Sequence, residues 1–259
     1  MGNAGDVRAA RQAAESILGK LRRQLEVLRP RHHIPFASFV RYGHSENVYW
    51  NEHAVKLDDA LALDADLGIA SVPMFPGDRW AVGGPMPERA VERWTEACAQ
   101  AAKRAPVEAP VVSVDTLMSA FAAMQKRVRE TNDWDAICKL SQEGKPPASL
   151  VYVTDLAISM ELDLVNGLSL STASRDVCDI RLGSQAFEYA MRHNWGRGTL
   201  TINGRFEANY STMWRFLRQT QIPYANNIGW RFPFDLAQQN LIEGSSFLEQ
   251  LLLQLSHPA

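Results

Sequence analysis

Apolar residues first recur at Ala10, Ile17, Leu18, Leu21, Leu25 and Leu28, mostly three and four residues apart, which predicts an amphipathic helix over residues 6–28. Pro30 ends it, and the position before a proline resists helical dihedrals. "IPFASFV" (34–40) reads as a short, mostly apolar strand, and the polar run behind it as a loop. "LDDALALDADLG" begins as a helix and gives way to an apolar stretch, Ile69 to Phe75, suited to a second strand. Pro76-Gly77-Asp78 is a turn, because proline presets φ and glycine supplies a positive one. Helices are predicted over 87–104, 113–130 and 133–142, with Ser113 or Asp115 as N-cap of the second.

After Gly144-Lys145-Pro146-Pro147 the period changes from helical to alternating. "SLVYVTD", "ISMELDLVNG", "LSLST" and "VCDIRLGS" read as short strands, with Asn166-Gly167 as a hairpin turn. "SQAFEYAMRHN" is a helix capped by Ser184, and "GTLTINGRFEA" returns as strand around Asn203-Gly204. "YSTMWRFLRQTQ" and "LAQQNLIEGSSFLEQLLLQLS" are further helices. The expectation is an α+β chain with a boundary at 145/146, separating a helix-rich region 1–145 from a small α+β module 146–259.

Composition narrows the partners. Apolar residues make up 46% of 259, which is globular, and a net charge of -2 removes the global basic field that gathers nucleic acid. The first residues lack an apolar signal core and no long apolar run occurs, so a cytoplasmic protein without a membrane partner is expected. Cys98, Cys138 and Cys178 are odd in number and widely spaced, which suits neither a disulfide framework nor structural zinc. No phosphate-binding loop, dinucleotide fingerprint or nucleophile elbow occurs, and no cofactor is expected.

The densest chemistry lies in "RYGHSENVYWNE". His44 and Glu46 have the composition of an acid/base pair, and Asn47 and Asn51 of groups that orient a carbonyl or anion. Arg41, Tyr42 and Tyr49 flank them as candidate substrate contacts. The same residues also suit a loop fixed by hydrogen bonds with its aromatics packed beneath. The histidines show no ligand spacing, and adjacent His32 and His33 face opposite sides of an extended chain, so no metal site is expected. Asp78, Arg79 and Trp80 follow a predicted strand, where loops carry function and could contact substrate, although an ion-paired surface turn is the better description of their residue types. Phe187, Tyr189, Met191, Trp195 and Phe206 suit either the wall of an apolar ligand tunnel or an ordinary core.

"LRPRHHIPFASFVRYGHSENVYWNE" followed by "VPMFPGDRWAVGG" resembles the C-terminal part of bacterial metallo-β-lactamase-fold hydrolases. "LVYVTDLAISMELDLVNG…CDIRLGSQAFEYAMRHNWGRGTLTINGRF" is similar to the sterol-carrier-protein-like module that follows that fold. Together the resemblance spans about residues 20–220. It implies a partial metallo-β-lactamase-like half followed by a sterol-carrier-like α+β module. The family's His-x-His-x-Asp-His metal motif is absent, and Ala37 and Ser38 occupy the region of its late metal ligand.

The resemblance therefore implies a natural half-protein whose exposed sheet edge is covered by a metallo-β-lactamase-like partner chain. The implied function is that of a partner subunit in a heteromeric enzyme of specialised metabolism, acting on a small-molecule substrate. Two-subunit aziridine-forming enzymes of azinomycin-type pathways are the nearest functional analogue. There sulfate leaves as nitrogen closes a three-membered ring on a substrate carried by an amino-group carrier protein. In that setting a base would take the amine proton while His or Arg groups stabilise the departing sulfate, and His44, Arg41 and Arg79 have the residue types for it. The alternatives are a non-catalytic binding protein for an apolar small molecule and, opposed by the missing histidines, a self-sufficient metallohydrolase.

Overall fold

The computed structural model describes residues 3–36, 40–235 and 238. They fall into two compact units, Met1–Val107 and Glu108–Ala259. In the first unit, helix α1 (Val7–Leu28) starts where the Asp6 carboxylate accepts from the Ala9 N–H at 2.9 Å. It stops at Arg29, whose left-handed backbone donates to the Leu25 carbonyl ahead of Pro30. Strand β1 (His32–His33) pairs in parallel with β2 (Ala70–Ser71), in the register His32 to Ala70 and His33 to Ser71. Helix α2 (Leu57–Asp66) buries Leu57, Ala60, Leu63 and Asp64 on one face, and α3 (Ala90–Ala102) closes the unit.

The second unit opens with α4 (Val114–Thr131) and α5 (Trp134–Gln142). Ser113 and Asp133 cap them through bonds from Thr116 N at 3.2 Å and Ala136 N at 3.0 Å. Five strands follow: β3 (Ser149–Val153), β4 (Ile158–Asp163), β5 (Gly167–Ser171), β6 (Ile180–Leu182) and β7 (Glu207–Ala208). Their spatial order is β5-β4-β3-β6-β7, mixed because β3 and β6 run parallel while the other pairs are antiparallel. At the β4–β5 turn, Asp163 Oδ1 accepts from the Val165 and Asn166 N–H groups, and Gly167 takes a φ of +118°.

Alternation along the strands decides which sheet face is dry. Val151, Val153, Met160, Leu162, Leu168, Ile180, Leu182 and Ala208 point into one core with Leu117, Phe121, Met124 and Val128 of α4. Phe187, Ala190 and Met191 join them from α6 (Ser184–Arg192), Leu200 from α7 (Gly196–Asn203), and Phe216 and Leu217 from α8 (Trp214–Gln219). Helix α9 (Gln221–Asn227) follows α8. The opposite face presents Tyr152, Glu161, Ser169, Arg181 and Glu207, half-buried or exposed, with Arg181 Nε 3.3 Å from Glu207. Helices on one face of a mixed sheet make the chain α+β.

The structure corrects several sequence expectations. The compact units divide at Val107/Glu108 rather than at 145/146, because α4 and Ile137 of α5 belong to the core under the sheet. The Gly144–Pro147 segment is then an internal turn, tied down by Gln219 Nε2 donating to the Pro146 and Pro147 carbonyls at 3.1 and 2.9 Å. The strand expected over 34–40 forms at His32–His33 instead; residues 34–36 are irregular and 37–39 lie outside the described residues. Ser184 is the first helical residue, not the cap, and Gly183 precedes it. "GTLTIN" is helical, ended by Gly204 at φ +65°, so the only strand there is β7. The helix predicted from Leu236 falls outside the described residues.

Candidate functional site

The residues around His44 form a tied loop. Val107 N donates to the Gly43 carbonyl at 2.8 Å, and Ser45 N to the Val107 carbonyl at 3.2 Å. Asn47 is buried, and its Oδ1 accepts from the His44 N–H at 3.0 Å. Val48–Glu52 form one 3-10 turn, and Asn51 bonds both main-chain polar atoms of Tyr42. Trp50 fills the centre, 5.4 Å from the Tyr49 ring and 6.5 Å from that of Tyr42, with its Nε1 buried and unpaired. Burial pushes the Tyr42 phenol up.

The loop's amides are thereby committed to its own backbone. His44 takes part through its main chain, and its imidazole has no hydrogen-bond partner among the described residues. A proton-transfer histidine needs a group that fixes its ring. Glu46 is half-buried beside it. Arg41 is exposed and donates to the Ala102 carbonyl at 3.4 Å.

The second candidate is divided among different tasks. Pro76-Gly77 forms the expected turn, with Asp78 N donating to the Phe75 carbonyl at 2.9 Å. Asp78 receives both bonds of Arg93, at 2.6 and 2.7 Å, and one from Phe75 N. The Arg93 guanidinium holds its carboxyl below the usual carboxylate range. Trp80 donates to the Gly84 carbonyl at 3.1 Å and meets the His32 ring edge-on at 5.1 Å, while Arg79 stays exposed. Asp78 and Trp80 therefore shape this segment.

The arrangement that sequence reading missed lies across β1, α2 and β2. His33 Nδ1 is 2.8 and 2.9 Å from the two oxygens of Asp64, a carboxylate with 0% side-chain exposure. The Ser71 hydroxyl also donates to Asp64. Register explains the meeting: His33 and Ser71 are partners in the parallel pair, and the chain reaches β2 directly from α2. The His33 side chain remains 18% exposed, and its Nε2 has no hydrogen-bond partner among the described residues. One signal could have pointed here. Asp64 lies seven residues after Leu57 and four after Ala60, on the apolar face of α2, where an acidic residue needs a partner.

In the second unit the aromatic block separates. Phe187, Met191 and Phe206 are core, whereas Tyr189, His193 and Trp195 stack on its surface with ring centres 4.8 and 4.7 Å apart and Trp195 48% exposed. Cys98 is exposed, Cys138 half-buried and Cys178 buried, all as free thiols. Burial pushes the Cys178 thiol up. Among the described residues, no group of three or more His, Cys, Asp or Glu side chains is placed to hold a metal ion. No described helix is long and apolar enough to cross a membrane. No protein-family model, curated protein or solved structure matches the chain.

Proposed function

We propose that the chain is one subunit of a two-chain enzyme and docks through its first unit onto a metallo-β-lactamase-like partner. The β1–β2 ladder carries this reading. Parallel strands normally occur inside larger sheets with both faces covered. Here each strand is two residues long, and neither has a second neighbour among the described residues. Phe36, just after β1, is 81% exposed, and Val82 is 85% exposed. A strand supplied by another chain would pair the open edge and cover such side chains. The partner would bring the metal-bearing half, and this chain acid/base and anion-binding groups for a small-molecule substrate, with a carrier-protein-bound amino acid as the substrate the resemblance suggests.

The alternative of an apolar-ligand carrier draws less support, because Phe187, Met191 and Phe206 are occupied in core packing. Co-expression with a metallo-β-lactamase-like chain lacking its own C-terminal half, followed by native mass spectrometry, tests the proposal. A stable heteromer with slowed amide exchange at His32–His33 is expected. A monodisperse chain whose exchange is unchanged by that partner would overturn it.

A further inference from the structure

We infer that His33 is a proton-transfer residue, oriented by Asp64, acting on a hydroxyl- or amine-bearing small molecule. Three observations carry this. The ring is fixed through Nδ1 by a carboxylate that is itself fully buried. That carboxylate is held from a second side by Ser71, so it cannot swing away without losing a bond. The other ring nitrogen is uncommitted among the described residues, and the side chain reaches solvent. A histidine that only fastened β1 to α2 would be served by the Nδ1 contact alone. An oriented ring with a free Nε2 is the arrangement general-base chemistry requires.

The step balances without a further reagent. Neutral Nε2 takes the proton from the hydroxyl or amine as its oxygen or nitrogen lone pair forms a bond to an electrophilic carbon, whose bond to the leaving group breaks with its electron pair. The imidazolium is stabilised by the Asp64 carboxylate, and the proton then passes from Nε2 to the leaving group or to water. Asp64 touches no substrate and is a positioning residue. His44, which sequence favoured for this role, has no comparable support for its ring.

The full chain is assayed with p-nitrophenyl acetate, where water is the nucleophile and nitrophenolate leaves. H33G is expected to lower the histidine-dependent rate by about a hundredfold, with recovery on adding free imidazole. D64N should lower kcat with KM unchanged, while H193Q, in the second unit, leaves the rate at the wild-type level. In case H33G does not fold, wild-type chain is titrated with diethylpyrocarbonate and each histidine is followed by peptide mass spectrometry. Loss of hydrolysis should track modification of His33. Hydrolysis that survives full modification of His33, or that tracks His44, would overturn the assignment.

Discussion

Asn51 holds Tyr42 by both main-chain polar atoms, accepting from its N–H and donating to its carbonyl, each at 2.9 Å. The same amide also donates to the Val48 carbonyl at 2.8 Å. One side chain thus does for residues 42–51 what a neighbouring strand would do, and the density of polar groups in this stretch is explained by that work. Asn51→Ala leaves partly buried backbone groups without partners, each a penalty of about 1–3 kcal/mol. We expect a net loss of about 2 kcal/mol in urea denaturation, with faster exchange of the Tyr42 amide. Exchange at the wild-type rate would show the loop to be held by something else.

The Tyr42 phenol offers a spectroscopic view of the same knot. Burial raises its folded-state value above that of an exposed tyrosine, about 10. Stability from keeping it neutral is therefore complete below about pH 10 and is lost as pH rises through the higher folded value. Absorbance titration of the native chain should show a late-ionising tyrosine, absent in Tyr42→Phe. If both chains titrate alike, Tyr42 is solvated in solution.

The Asp78–Arg93 pair has the opposite sign. Arg93 first, then the Phe75 N–H, favour the ionised carboxylate, so the folded-state value lies below the unfolded one. Its contribution is present above the unfolded carboxylate value, about 3.9, and is lost as pH falls through the lower folded value. Asp78→Asn should therefore melt below wild type at neutral pH, with the gap closing in acid. A gap independent of pH would assign the effect to the turn rather than to the charge.

Much of the fold was legible where local chemistry determines it. Ser113, one of two candidate caps, announces α4, Asn166-Gly167 announces the β4–β5 turn, and the alternation of "SLVYV" announces the central strand. The failures come from contacts distant in sequence. Thr199, Thr201 and Ile202 favour a strand, yet α7 forms because Leu200 reaches the core and the chain folds back on α6. His33 and Asp64 stand 31 positions apart, and periodicity within either segment cannot show that they meet. Conversely, in the stretch richest in titratable and aromatic groups, Asn47 and Asn51 bond the loop's own backbone, a role composition cannot reveal.

Gly196 marks the place where α6 turns into α7, and space rather than dihedral freedom demands glycine there. An added Cβ would stand 2.4 Å from the Tyr189 carbonyl oxygen, 2.7 Å from that of Ala190 and 2.8 Å from the Ala190 Cα. All three are main-chain atoms of α6, so no side-chain rotation relieves the clash. Gly167 supplies the control: its φ of +118° disfavours other residues, but a Cβ there meets nothing within 4 Å. Gly196→Ala should therefore destabilise by roughly 3 kcal/mol or more, and Gly167→Ala by about 1–2 kcal/mol from backbone strain alone. Guanidinium unfolding measures both. The first substitution should also disturb Trp195 fluorescence, because Trp195 precedes the clash and stacks on His193. Equal losses in the two variants, with Trp195 emission unchanged, would mean that the α6–α7 turn yields easily and that its close packing contributes little to stability.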